Sequence, residues 1–180
     1  EDSHMKLPVL GFDLNRLESV ELVPYVRAIR AGAKSIMSAH IALPKLDPSR
    51  RPATLSRPIL TDLLREKLKF DGLIVTDGLT MQGVTDNYSV TEAALLAIQA
   101  GADALLVSPD IEAAYNYLVD AVRRGKIAEA RLDSSVRRML SAKAWLGLQK
   151  NRYVDITKIS KTVGAPASEN LSKKIARDAI

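Results

Sequence analysis

A helix, a glycine-containing turn and a short apolar strand recur three times in this chain, and that repeat limits the fold to a few layered architectures. The first unit spaces Val23, Val26 and Ile29 along a helix over residues 20–33, ends near Gly32 and continues into SIMSAHIAL as a strand. In the second, Pro58 stands in the first helical turn of residues 57–70. The stripe Ile59, Leu60, Leu63, Leu64 and Leu68 follows, then Gly72 and the strand LIVTD. The third opens on Ser89 with Glu92 three residues on, the signature of a capping box, and runs through residues 89–102 into ADALLVSPD. Strands that are apolar on successive residues and separated by helices belong in a parallel sheet covered by helices. Doubly wound sheets and α/β barrels both fit, and in either the ligand-facing residues gather at the C-terminal strand ends. Here those ends carry Ser38 and His40, Thr76 and Asp77, and Ser108 and Asp110.

Two more helices are expected, over 110–126 with Asp110 as cap and over 133–148 opened by Asp133 and closed near Gly147. Residues 149–180 lose periodicity and read as a linker followed by the start of another helix. Three parallel strands cannot close a barrel, which takes about eight. A self-contained three-stranded α/β domain is the alternative on pattern alone.

With 47% hydrophobic residues in 180, the chain can build a sizeable core. A net charge of +5, spread along helices, and only 4% aromatic residues give no footprint for nucleic acid. Cysteine is absent, so disulfides, thiolate zinc sites and a cysteine nucleophile are excluded. No apolar run is long enough to span a membrane, and the N-terminus has no signal-peptide pattern. The chain begins at Glu1 without an initiator methionine, so an upstream leader stays open and the compartment with it: periplasmic, secreted and cytoplasmic locations are all compatible.

Three positions invite chemistry. Asp77 ends the run Leu73-Ile74-Val75-Thr76, and Gly78 behind it removes side-chain bulk, so a substrate can approach the carboxylate closely. The structural alternative is a helix cap for a helix near Leu79, or a solvated acid. Asp2 and His4, two residues apart, lie on one side of an extended segment, where a carboxylate would fix the imidazole tautomer and raise its proton affinity. A Ser-His-Met remnant of tag removal in a disordered terminus is the competing explanation. His40, at a strand end, can bond a substrate hydroxyl or satisfy the backbone, and two histidines without metal-ligand spacing point to no metal.

The segments DSHMKLPVL, AGAKSIMSAHIALPKLD, RPATLSRPILTDLLREKLKFDGLIVTDGLTMQGVTD and AGADALLVSPD, with SVRRMLSAKAWLGL after them, together resemble glycoside hydrolase family 3, in its β-N-acetylhexosaminidase branch. The resemblance covers residues 2 to about 148 in order. It implies that residues 1–148 are the C-terminal part of a (β/α)8 TIM-type catalytic barrel, with 149–180 leading towards a further α/β domain.

The resemblance also assigns roles. Asp77 matches the family's catalytic nucleophile, and the DSH element matches a mobile-loop dyad in which His4 is the general acid/base and Asp2 its partner. His40 and Met81 would line the sugar site. Gly78 stands where the family's β-glucosidases typically carry tryptophan, which favours the hexosaminidase branch. The implied reaction is retaining removal of terminal β-linked N-acetylglucosamine from cell-wall or chitin-derived glycans through a glycosyl-enzyme, without a cofactor. A neutral histidine in place of a second carboxylic acid avoids like-charge repulsion with Asp77. The implied partners are a carbohydrate and the N-terminal half of the same barrel, without which the isolated piece should be inactive. A family β-glucosidase, a glycoside phosphorylase, and a non-catalytic interaction domain built from a barrel remnant are the alternatives.

Overall fold

The structure, a computed structural model, describes residues 2–107 and 111–179. Its centre is a three-stranded parallel sheet in the order β1 (Ser35–Met37), β2 (Leu73–Gly78), β3 (Ala104–Leu106). Ser35, Ile36 and Met37 stand opposite Leu73, Ile74 and Val75, and Val75 stands opposite Ala104. Each strand follows a helix, the order the repeated unit predicts: Val23–Arg30 before β1, Pro58–Lys67 before β2 and Val90–Ala100 before β3.

Alternation along β2 separates two environments. Ile74 and Thr76 are wholly buried, whereas Leu73, Val75 and Asp77 share the other, partly open face. The buried face packs on Leu60, Phe70, Leu79, Val84, Ala93, Ala94 and Ala97 in one continuous core. Each buried residue the size of Leu60, Phe70 or Ile74 contributes about 1.5–3 kcal/mol relative to exposure. Small alanines on the Val90–Ala100 helix let it approach the sheet closely, and the helix begins as expected. Ser89 Oγ accepts from Glu92 N–H while the Glu92 carboxylate accepts from Ser89 N–H, a complete capping box.

Beneath the N-terminal end of the sheet, Asp103 is buried among cations. Arg65 pairs with its Oδ2, Arg138 lies 3.2 Å from Oδ1, and Ser135 Oγ–H and Ile74 N–H also donate to the carboxylate. Arg131 donates to the Ile98 and Ala102 carbonyls at 3.2 and 2.6 Å and to Ser135 at 2.6 Å. This pin ties three helices to the start of β3. Burial beside two other guanidinium groups brings Arg65 down to about 10.

Several expectations need correction. The strand foreseen over SIMSAHIAL stops at Met37, because the chain turns out of the sheet at Ser38. Ser38 Oγ shares a hydrogen bond with Thr54 Oγ1 at 2.9 Å, and only Ala42 re-enters a ladder, between Val9 and Pro52. The last barrel helix runs Glu129–Trp145, so Asp133 lies inside it rather than at its cap. Buried Ile127 and partly buried Leu132 anchor that start against Ile98 and Ala121. The first helical stretch also begins early, where Asp13 caps Leu14–Arg16. Ser108, Pro109 and Asp110, expected as a strand end and cap, lie outside the described residues. The chain divides into two compact units, Glu1–Trp145 and Leu146–Ile180. In the second, Asp155 caps the turn Ile156–Lys158, and a helix occupies Pro166–Asp178.

Candidate active site

The C-terminal end of β2 is irregular where Asp77 stands. Three steps along β2, from Val75 to Gly78, face two steps along β3, from Ala104 to Leu106. That extra residue is a bulge, and bulges re-aim side chains at strand ends. Thr76 helps to hold it. Its Oγ1 accepts from Leu106 N–H at 2.9 Å, and Leu79 N–H donates to the Leu106 carbonyl at 3.0 Å. Asp77 Oδ1 accepts from Gly78 N–H at 2.7 Å, and its Oδ2 takes no hydrogen bond among the described residues. Asp77 is therefore not a helix cap. The next helix, Gln82–Thr85, starts after Met81, which offers no side-chain cap.

His40 lies behind this turn. It has no exposed surface, and its ring Nε2 stands 2.9 Å from the Gly78 carbonyl oxygen. Because a carbonyl only accepts, Nε2 carries the proton and Nδ1 holds a buried lone pair that has no hydrogen-bond partner among the described residues. Burial lowers the His40 pKa, against smaller opposing effects of the Gly78 bond and the Asp77 charge. Wholly enclosed, His40 meets the backbone directly after Asp77, one of the two roles its strand-end position allowed. Met81, expected beside it, is partly buried, and its Sδ lies 3.7 Å from where a Cβ on Gly78 would stand.

The DSH element is ordered, but not as an extended strand. Met5 and Lys6 N–H both donate to the Asp2 carbonyl, closing a turn. Asp2 Oδ1 accepts from His4 N–H at 2.9 Å and from His4 Nδ1 at 2.7 Å. These bonds hold the Asp2 carboxyl below its ordinary pKa, so it is an anion over the neutral range. With Nδ1–H committed to Asp2, the lone pair of neutral His4 stands on Nε2. The two histidines thus hold opposite tautomers.

Two contacts bring this pair to the β2 end. Gly83 N–H donates to the Ser3 carbonyl at 3.1 Å, joining the dyad turn to the helix that follows Asp77. At the base of the turn, Ala42 N–H donates to Pro8 O at 2.8 Å and Leu10 N–H donates to Ala42 O at 2.9 Å. Ala42 is two residues beyond His40, so one short segment supports both the Asp77 turn and the dyad. A groove lined by Asp2, Ser3, Pro8, Val9, Leu10 and Ile41 opens beside the pair. Among the described residues no cluster of histidine and acidic side chains could hold a metal ion. Sequence reasoning missed Gly83; its signal was a glycine inside TMQGVTD, where a helix former would be less costly.

The model of the glycosyl hydrolase family 3 N-terminal domain matches residues 1–142. The chain belongs to glycosyl hydrolase family 3. A β-N-acetylglucosaminidase/β-glucosidase of Cellulomonas fimi is 30% identical over 188 residues, covering 99% of this chain and 33% of that protein. The solved family 3 β-N-acetylglucosaminidase of Paenibacillus sp. str. FPU-7 superposes with a TM-score of 0.82 at 37% identity, over 92% of this chain and 31% of that one. A β-glucoside phosphorylase, BglX, superposes with a TM-score of 0.87 at 27% identity, over 97% and 33%. The three-stranded sheet with its helices is thus part of a TIM-type barrel. The chain spans about a third of the length of the curated relatives it matches.

Proposed function

We propose that the protein containing this barrel segment is a retaining glycosidase that removes terminal β-linked N-acetylglucosamine from cell-wall or chitin-derived glycans. The observation that carries the reading is a bulged strand end, bearing Asp77 with one oxygen unengaged among the described residues, tied through Gly83 N–H and Ser3 O to the turn that holds the hydrogen-bonded Asp2–His4 pair. Asp77 Oδ2 attacks the anomeric carbon while His4 Nε2–H, formed by prior protonation, is given to the leaving oxygen. Water, deprotonated by the now neutral His4, then releases the sugar from Asp77 with retained configuration. Asp2 stabilises the imidazolium that precedes the first step and is restored by the second.

Activity belongs to the completed barrel. β1 and β3 are the outer strands of the described sheet, Met37 on β1 is 54% exposed, and an apolar groove lined by Leu10, Leu22, Tyr25, Ile36 and Met37 runs beside β1. The upstream half of the same barrel is the partner that would cover it. In a barrel so completed, Asp77→Ala should lower kcat/KM for an aryl N-acetylglucosaminide by at least about 10³-fold, since it removes the nucleophile. Turnover near that of the unaltered protein would overturn the assignment.

A second reading has specific support. The likeness to a β-glucoside phosphorylase and a histidine acid/base, which tolerates an anionic acceptor, both favour transfer to phosphate. Analysis of products formed in phosphate buffer separates a sugar 1-phosphate from free sugar.

A further inference from the structure

We infer that Gly83 is the seat on which the acid/base loop docks, and therefore a positioning residue for His4. The inference rests on the reading of Asp2 and His4 as the acid/base pair. Two independent features of Gly83 support it. Its N–H donates to Ser3 O at 3.1 Å, and a Cβ built on it would lie 3.0 Å from Ser3 O, 3.4 Å from Lys6 O and 3.5 Å from Leu7 Cα. All three atoms are backbone, and they come from both ends of the turn that carries His4. The Ser3 contact is the tight one, and because it is backbone no side-chain rotation relieves it: Ser3 O must give by a few tenths of an ångström, with Lys6 and Leu7 already in van der Waals contact behind it.

The glycine is otherwise out of place. It is buried within the helix Gln82–Thr85, in ordinary helical backbone where alanine is favoured. What it allows is close approach of two backbones. The Ser3 bond is also the tie, among the described backbone hydrogen bonds, between residues 2–6 and the segment downstream of Asp77. When the loop is docked, the helix that follows the nucleophile thereby sets where the proton donor stands.

The test is a graded pair, Gly83→Ala and Gly83→Val, in the completed barrel. Displacing His4 should weaken protonation of the leaving oxygen, which matters most when the aglycone is a poor leaving group. The expected result is a kcat/KM for an alkyl or phenyl N-acetylglucosaminide lowered about tenfold by alanine and further by valine. That for the 2,4-dinitrophenyl glycoside should stay within about twofold. General destabilisation would lower both equally, and equal losses, or none, overturn the proposal. A second variant, with residues 2–6 replaced by glycines and Gly83 kept, should speed amide exchange at Gly83 at least about tenfold while leaving Ile74 unchanged. Unchanged protection at Gly83 also overturns it. If Asp77→Ala and His4→Ala leave activity intact, the functional reading itself fails; if they abolish it and the Gly83 series shows no leaving-group dependence, only the seat fails.

Discussion

At the scale of the residue, the two histidines show how position decides chemistry. His4 is exposed and paired with a carboxylate, whereas His40 is enclosed and spends its one donor on a carbonyl. His40→Leu keeps the burial and loses the donor, so the Gly78 carbonyl keeps only its bond from Met81 N–H at 3.0 Å and the Asp77 turn loosens. The expected loss in kcat/KM is about 10- to 100-fold and similar for good and poor leaving groups, because nucleophile placement rather than proton transfer is affected. His40→Gln, whose amide N–H can reach the same carbonyl, should restore part of it. The substitution should also change the pH dependence of stability. The folded pKa of His40 lies below the ordinary 6.5, chiefly through burial. Between those two values the unfolded chain binds more protons, so stability falls as pH drops through 6.5 and levels off below the folded pKa. Urea unfolding at about pH 7.5 and pH 5 should show a smaller loss for His40→Leu than for the unaltered chain; parallel losses would contradict the assignment.

Asp77 could be singled out in the sequence because a carboxylate and glycine closing an apolar strand are visible as letters. The enclosure of His40 was not, because it depends on Gly78 folding back over it through the bulge. The pairing of Asp2 with His4 was foreseen for a geometric reason that does not hold. The residues meet through a turn closed on the Asp2 carbonyl, not through period-two alternation.

At the scale of the element, capping and hydrophobic spacing were the legible signals. Ser89 and Glu92 form the box their spacing announces, and Ser89→Ala should cost about 1 kcal/mol, read as a lower urea midpoint at constant slope. A change of a few tenths at most would mean that packing by Ala93, Ala94 and Ala97 alone fixes that helix. Strand length was less legible. SIMSAHIAL has continuous β character, yet the strand ends at Met37 because Ser38 and Thr54 bond each other and Ala42 is recruited to a second, smaller ladder. Such diversions depend on residues distant in sequence. The same holds for Asp103, an unremarked acid in AGADALL until Arg65, Arg131 and Arg138 converge from two helices. Breaking a buried pair of this kind leaves an uncompensated charge, so the network is expected to tolerate little change.

At the scale of the whole molecule, the parallel order β1-β2-β3 and its helices follow from the repeated unit, and the family match places them in a TIM-type barrel. What repetition could not supply was the meeting of residue 3 with residue 83, since nothing local links them. That meeting turns a strand end and a chain opening into one candidate site. In the proposed reaction Asp77 carries the sugar between two half-reactions. The most direct measurement is peptide mass spectrometry of the completed barrel after reaction with a 5-fluoro N-acetylglucosaminyl fluoride, which slows release of the glycosyl-enzyme more than its formation. The expected result is a single added glycosyl group on the peptide containing Asp77, absent in Asp77→Ala. A label on another carboxylate, or turnover with inverted anomeric configuration and no label, would contradict it.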